Sequence, residues 1–256
     1  MRRIITALLL TAWVGAQPST GYDIMRQALN KKSWETMQSD LTLTMENDRG
    51  EVRVRKIAFY SADDENGLNR MLMRFQSPAD VKGTGFLTLE TASGDDERYL
   101  YLPALRRVKK IAASGSGGNF MSSDFTYYDI GKPKLEDWTY TLLGEETIDG
   151  KTCYKIESLP ADDQIRKDTG YGKIIRWIEK ERLNTVRSDY YDVSGSLWKR
   201  LEIRETLTIN GIDFASDLVM HDLQINHTSR MVFSAVKVDQ PLPGAFFTVR
   251  YLQRGR

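Results

Sequence analysis

The stretch that decides the fold is residues 99–130, YLYLPALRRVKKIAASGSGGNFMSSDFTYYDI. It begins as an apolar, aromatic strand and continues as a doubly basic strand. It then passes through a glycine-rich loop into an aromatic, acidic segment. Nucleotide-binding proteins also contain glycine-rich loops, but Gly115-Ser116-Gly117-Gly118 lacks the Gly-Lys-Ser/Thr of a phosphate-binding loop, and no G-x-G-x-x-G follows. The loop is therefore not a nucleotide-binding motif, and the fold must be predicted from the β-rich sequence around it.

Alternation of apolar and polar residues predicts β-strands along most of the chain. Leu41, Leu43 and Met45 point to one face of a strand, and a tight turn at 47–50 leads into a partner strand. Alternation over residues 197–209 ends at Asn210-Gly211, a strong hairpin signal. Further strands are predicted at 67–75, 84–90, 97–102, 105–111, 138–148, 151–158, 171–181, 184–193, 214–225 and 228–239. Such a wide antiparallel sheet is expected to curl or close, because long open edges are prone to aggregate.

Helical patterning is confined to short segments. Residues 22–32 carry apolar side chains at helical spacing, with Asp23 as the expected N-cap. A turn or two is expected within residues 119–129, and a short closing helix or turn at 243–247.

The chain resembles the outer membrane lipoprotein-sorting (LolA-like) superfamily, most closely its larger periplasmic branch. The resemblance covers most of the mature chain, and its most specific part is YLPALRRVKKI at 101–111. It implies a mainly β fold, a curved antiparallel sheet forming an incomplete (half-open) β-barrel of about eleven or twelve strands, with short helices as a lid or plug. It also implies a carrier of lipids or other apolar molecules that serves an envelope transport pathway, together with an inner-membrane transporter.

The N-terminus reads as a secretory signal. Arg2 and Arg3 precede an apolar core, and Val14-Gly15-Ala16 matches a cleavage site, so residues 1–16 are predicted to be removed and 17–256 to form one domain. Gln17 occupies the position that a cysteine would hold in an anchored lipoprotein. We therefore expect a soluble periplasmic protein. Loss of Arg2 and Arg3 changes the net charge from +1 to −1, which argues against a nucleic-acid partner.

An apolar ligand needs flexible, non-polar walls, which methionine and aromatic side chains provide. Several strands are apolar on both faces, so one face can pack on a cover while the other lines a cavity. The candidate cavity residues are Met71, Met73, Phe75, Trp177, Leu201 and Ile203. An ordinary filled core is the alternative explanation for the same pattern.

Residues 119–130 are the candidate lid. Phe120, Met121 and Phe125 supply apolar contacts, and the preceding glycines provide conformational freedom. The alternative is a surface loop that its aromatic residues pin to the barrel.

A basic strand is the candidate surface for a lipid headgroup or an acidic partner. Arg106, Arg107, Lys109 and Lys110 flank Val108 and are expected to make its outward face strongly positive. The alternative is that these charges protect an edge strand from aggregation.

No catalytic constellation is evident in the sequence. Gly-x-Ser-x-Gly and His-Glu-x-x-His are absent, and the single cysteine, Cys153, reads as an inert strand residue. The acidic turns at 95–97 and 162–163 could hold calcium weakly, although solvated loops are far commoner. We expect neither a cofactor nor a metal.

Two functions are therefore open. The first is a periplasmic carrier for a lipid, an acyl chain or a lipid-modified ligand. Its cargo could be a lipoprotein, a hopanoid or a glycolipid, and it would contact the outer or inner membrane transiently. The second is a non-catalytic interaction or sensing module of the cell envelope, accessory to an inner-membrane exporter, on the same fold. An enzyme is the least favoured interpretation.

Overall fold

The fold is one curved antiparallel sheet. The computed structural model describes residues 20–92 and 94–254, so the predicted signal peptide lies outside the described residues. The thirteen strands of the described residues run in the order β6-β5-β4-β3-β2-β1-β13-β12-β11-β10-β9-β8-β7. The expected fold class is confirmed, with thirteen strands where about eleven or twelve were predicted.

The strands follow the predicted alternation closely. Their bounds are β1 Thr36–Glu46, β2 Val52–Asp63, β3 Asn69–Ser77, β4 Gly85–Leu89, β5 Glu97–Leu102, β6 Arg107–Ile111, β7 Trp138–Ile148, β8 Lys151–Pro160, β9 Tyr171–Glu179, β10 Thr185–Asp192, β11 Leu197–Ile209, β12 Ile212–Asp222 and β13 His227–Val238.

The sheet consists of two meanders joined at β1 and β13. Residues 36–111 form six strands and residues 138–238 form seven, and Leu43 of β1 pairs with Met231 of β13 across the junction. The outermost strands, β6 and β7, do not pair with each other in the part of the chain that the structure describes. The barrel is therefore incomplete.

Short turns set the register of the hairpins. At Asn210-Gly211 both residues have positive φ angles, 52° and 75°, which is the requirement of a tight two-residue hairpin turn. The long pair β11–β12 follows directly from this turn, with Ile209 opposite Ile212.

Among the described residues, three short α-helices accompany the sheet, at α1 Gly21–Leu29, α2 Asp163–Thr169 and α3 Val249–Arg254. The N-cap of α1 is Thr20, whose hydroxyl accepts a hydrogen bond from the Asp23 amide, so the assignment of Asp23 as the cap was wrong. The expected acidic turn at 162–163 is the start of α2, where Asp162 accepts a hydrogen bond from the Ile165 amide. The Asp162 carboxylate is therefore used as a helix cap.

The core lies mainly on the inner face of the sheet, defined here as the face that carries Leu41, Leu43 and Met45. Side chains of β1–β6 and β9–β13 meet there in one cluster. The outer face of β3–β5 is covered by the C-terminal segment, in which Phe247 and Leu252 pack on Leu72 and Leu87.

Candidate functional site: a cavity beneath the first helix

A cavity of about 310 Å³ opens on the inner face of strands β9–β12. Helix α1 forms one wall through Met25 and Leu29, and residues Tyr128 and Asp129 form another. Proteins bind small ligands in cavities of about 300–1,000 Å³. This one lies at the lower end of that range, so it has room for one slender ligand.

The floor of the cavity is apolar. Ile174 of β9, Leu201 and Ile203 of β11 and Leu218 of β12 line it. The last three are only partly buried, although they belong to the inner face. Apolar surface that the protein leaves uncovered in a concave site favours an apolar ligand.

Helix α1 forms its wall because its apolar side chains lie along one stripe. Ile24 and Met25 are buried against Tyr154, Ile156 and Ile178 of β8 and β9. The packing is close: a side chain at Gly21 would meet the backbone of residues 140–142 at 2.8–3.0 Å. Glycine at this position therefore allows the helix to lie directly on β7.

The cavity wall also carries polar groups. Tyr128, Tyr140, Arg176 and Tyr190 all line the cavity. Burial raises the pKa of Tyr140 to about 12, with the positive charge of Arg176 opposing that effect. The pKa of Tyr190 is also raised by burial. These phenols therefore keep their protons at neutral pH and can donate hydrogen bonds.

The carboxyl group of Asp129 is held by hydrogen bonds from neighbouring residues of the protein. Its Oδ2 accepts hydrogen bonds from the Tyr171 hydroxyl and the Thr126 amide, both at 2.8 Å. Burial raises the pKa of Asp129, although Lys199 and these hydrogen bonds oppose the shift. Its role is to hold the chain around Thr126 against β9.

The other half of the inner face is filled by residues 113–131, called here the plug. Phe120 is fully buried, with its ring centroid 5.2 Å from that of Phe86 and 6.2 Å from that of Phe75. Tyr127 packs against Phe120 at 5.6 Å. Side chains of the protein itself therefore occupy the space over β2–β4.

Side chains from three places fasten the plug. Arg55 of β2 donates a hydrogen bond to the Met121 carbonyl oxygen, and Lys199 of β11 donates one to the Asp124 carbonyl oxygen at 2.7 Å. Burial lowers the pKa of Lys199, against the attraction of nearby carboxylates. The Asp124 carboxylate accepts a hydrogen bond from the Ser229 hydroxyl at 2.6 Å. These polar contacts fix the plug against both halves of the sheet.

The glycine-rich approach to the plug serves close packing. A side chain at Gly117 would meet the carbonyl oxygens of Asp168 and Thr169 at 2.8 Å, and the Ser116 hydroxyl donates to the same Asp168 carbonyl oxygen at 3.0 Å. Helix α2, which the sequence did not reveal, is therefore the support on which the plug begins.

The structure separates the candidate cavity residues into three groups. Leu201 and Ile203 line the cavity. Met71, Met73 and Phe75 lie on the inner face of β3, in the same buried cluster as Phe120 and Phe125, and partly buried Met121 packs against that cluster. Trp177 lies on the outer face of β9, where its indole donates to Glu146 at 3.1 Å, so it is not part of the cavity. The alternation on β9 places Ile174 and Arg176 inward and Trp177 outward.

The four basic candidates lie at an edge of the sheet, and all are exposed. Arg107 and Lys109 pair with Leu102 and Leu100 and share the inner face, whereas Lys110 pairs with Tyr99 on the outer face. Lys110 forms an ion pair with Glu97 at 2.6 Å. The expectation of a single basic outward face is therefore wrong, because a strand alternates its side chains and these charges fall on both sides.

Sequence reasoning missed Met25, Leu29 and Arg176 as cavity residues. For Arg176 a signal was present, since it is a lone cation between Ile174 and Ile178 on an otherwise apolar strand face. For α1 the signal was incomplete, because apolar helical spacing does not reveal which strands the helix covers.

Among residues 20–92 and 94–254, no group of three His, Cys, Asp or Glu side chains could hold a metal ion. In that same part of the chain, no helix combines the length and hydropathy needed to cross a membrane.

Comparison with known proteins places the chain among structural relatives. A family model, described as that of an uncharacterized protein, matches residues 67–254. A domain from Vibrio parahaemolyticus, classed as an outer membrane lipoprotein-sorting protein, superimposes with a TM-score of 0.85 and 27% identity over 91% of this chain and 98% of that one. A DUF1329 family protein from Desulfovibrio piger superimposes with a TM-score of 0.84 and 29% identity over 91% of this chain and 97% of that one. A LolA superfamily protein from Nitrosomonas europaea shares the fold, with a TM-score of 0.71 and 20% identity over 91% of this chain and 100% of that one. No curated protein matches the chain.

Proposed function

Because the chain belongs to the outer membrane lipoprotein-sorting (LolA-like) superfamily, we propose that it is a non-catalytic carrier of the cell envelope. It shields a lipid, an acyl chain or a lipid-modified ligand from water inside the half-open barrel. The observation that carries the proposal is the cavity beneath α1, with its uncovered apolar floor at Leu201, Ile203 and Leu218.

The physical basis is the removal of hydrocarbon from water, which contributes about 0.8 kcal/mol per buried methylene. Ordering the ligand and the cavity walls costs part of this gain. A single long chain therefore supplies useful affinity without any charged contact, provided that the cavity accepts most of its length.

The plug provides a means of enlarging the cavity. Tyr128 and Asp129 belong to the plug and also form a cavity wall. In this proposal, withdrawal of residues 119–130 exposes Met71, Met73 and Phe75, which the plug now covers. The predicted lid then acts from inside the barrel, and the predicted wall residues receive a longer ligand.

The proposed place of action is the periplasm, between an inner-membrane transporter and a receiving membrane. Transient contact with a membrane would use the exposed basic edge formed by Arg106, Arg107, Lys109 and Lys110.

The test is to extract the purified protein with organic solvent, identify the extract by mass spectrometry and measure uptake of a fluorescent acyl probe. Ala215 lines the cavity, so Ala215→Phe should fill it and abolish co-purified lipid and probe uptake. Exposed Ala161 offers the matched control, and Ala161→Phe should leave both unchanged. A wild-type protein that carries no lipid and takes up no probe would refute the carrier.

One observation favours a second function, a non-catalytic interaction or sensing module accessory to an inner-membrane exporter. Phe120 and its neighbours already fill half of the inner face. This function predicts a protein free of lipid and a partner that binds equally well to wild type and Ala215→Phe.

A further inference from the structure

The cavity contains a cation, Arg176, that has no polar partner among the described residues. Arg176 lies on the inner face of β9, opposite Ser188 of β10 and Ile156 of β8. Its Nη1 is enclosed and has no hydrogen-bond acceptor among the described residues. Over those same residues, none of its nitrogens lies within ion-pair distance of a carboxylate. The guanidinium is placed over the ring of Trp138, 5.5 Å from its centroid.

The other cations that are buried on the inner face each have at least one polar acceptor. Arg55 donates to the Met121 carbonyl oxygen, and Lys199 donates to the Asp124 carbonyl oxygen. Arg98 forms an ion pair with Asp96 at 3.2 Å. The carboxylate that lines the same cavity, Asp129, accepts its hydrogen bonds from Tyr171 and Thr126. Arg176 thus differs from Arg55, Lys199 and Arg98, because no polar acceptor contacts it within the part of the chain that the structure describes.

An enclosed guanidinium nitrogen without an acceptor, as at Nη1 of Arg176, is unfavourable, because burial removes its hydrogen bonds to water. Such a group is retained where it has a use, and its planar fork matches the two oxygens of a carboxylate. Tyr140 lines the same cavity, and its phenol stays protonated at neutral pH. The cavity therefore offers a positive charge and neutral donors at Arg176 and Tyr140, and its floor offers hydrocarbon contacts.

We propose that Arg176 anchors the acidic headgroup of the bound ligand, and that the cavity takes a single-chain amphiphile with a carboxylate, of the long-chain fatty acid class. The volume of about 310 Å³ suits one chain and not a lipid with several. This inference rests on the proposed carrier function and adds to it the chemical class and the orientation of the ligand: headgroup at Arg176, chain along Leu201 and Leu218.

The test compares palmitate with its methyl ester, which has the same chain but no charge, by displacement of a fluorescent acyl probe. Wild type should bind palmitate about tenfold or more tighter than the ester, the difference expected of a charge-assisted hydrogen bond. Arg176→Gln should remove that preference by weakening palmitate alone. Arg176→Lys keeps the charge but loses the fork, and should give an intermediate preference.

Arg204→Gln is the matched control, since Arg204 pairs with Glu202 on the outer face of β11 and its side chain is 55% exposed. It should keep the wild-type preference. Lysophosphatidic acid, whose anion is a phosphate, is included as a second arm. Tighter binding of this lipid than of palmitate, lost in Arg176→Gln, would overturn the carboxylate assignment.

The outcomes separate the two proposals. If wild type carries no lipid and takes up no acyl probe, the carrier function fails. If it takes up the probe but neither palmitate nor the ester displaces it, the carrier stands and the fatty acid assignment is overturned. If it binds both equally, the carrier stands and the role of Arg176 is overturned. The wild-type comparison gives this answer even if Arg176→Gln does not fold.

Discussion

Nδ1 of His227 lies 2.7 Å from the Asp124 carboxylate and joins the first residue of β13 to the plug. The Asp124 side chain is almost fully buried, and the His227 side chain is 21% exposed. This contact spans 103 residues of sequence. It is one of the interactions through which the second meander of the sheet holds the plug in place.

His227→Gln should destabilise the protein by about 1–2 kcal/mol, because the buried Asp124 carboxylate loses the His227 ring as a hydrogen-bond partner. Urea-induced unfolding measures the change. His221→Gln is the control, since the partly exposed His221 lies 3.1 Å from the Thr228 hydroxyl and 3.8 Å from the Glu202 carboxylate on the outer face. It should cost under about 0.5 kcal/mol. Equal losses in the two variants would contradict the role given to His227.

Phe120→Ala should destabilise the protein by about 3–5 kcal/mol, since it removes a fully buried ring from contact with Phe75, Phe86 and Tyr127. The measurement is again the free energy of unfolding in urea. Leu105→Ala, at a residue 62% exposed, should change it by less than about 0.5 kcal/mol. A Phe120→Ala variant as stable as wild type would mean that the plug contributes little to the fold.

Arg55→Met should accelerate hydrogen exchange of the amides in residues 119–126 by about tenfold or more, because the plug loses a charge-assisted hydrogen bond at Met121. Arg53→Met, on the same strand but exposed, should leave their exchange unchanged.

Loading the cavity with palmitate should change exchange across residues 114–130, since Tyr128 and Asp129 form one of its walls. If exchange there is the same in the loaded and empty protein, the plug does not act as a lid.

Asp129→Asn should stabilise the protein relative to wild type increasingly as the pH rises above about 4. Burial raises the pKa of Asp129 above its ordinary value of 3.8, so between the two values the native state binds more protons than the unfolded state. The free energy of unfolding of wild type therefore falls as the pH rises through that interval, and the asparagine does not titrate. Urea unfolding from pH 4 to pH 7 measures the difference, which the exposed substitution Asp95→Asn should not reproduce.

Reversing Arg107 and Lys109 to glutamate should weaken binding to vesicles of anionic lipid by about tenfold or more, since each basic residue near such a surface contributes about 1 kcal/mol. Co-sedimentation with anionic and neutral vesicles measures this effect. Arg166→Glu with Lys167→Glu, on α2, makes the same change in net charge elsewhere. If vesicle binding of the β6 variant is unchanged, the charges protect the edge strand and do not contact headgroups.

The sequence predicted the strands well because alternation and turn chemistry are local. Asn210-Gly211 fixes a hairpin within two residues, and the long strand at 197–209 reads directly from its side chains. Local patterning also explains the error at α2, where two aspartates were taken for a loop although the first caps a helix.

The site was harder to predict, because it depends on which strands come to lie together. Nothing near Arg176 in sequence reveals that Tyr190 and Leu201 share its cavity. Trp177 was assigned to the wrong face, since a strand that is apolar on both sides gives no indication of which face is inner. The plug's contacts with Arg55 and His227 likewise span long stretches of sequence.

The gap between β6 and β7 has a mechanical consequence. Backbone hydrogen bonds do not link these two strands in the described chain. The two edges of the sheet can therefore move apart without breaking any existing strand pair. We expect ligands of different widths to be accommodated by a small separation of the two edge strands. Selectivity should then depend on the side chains that line the cavity and not on a fixed barrel diameter.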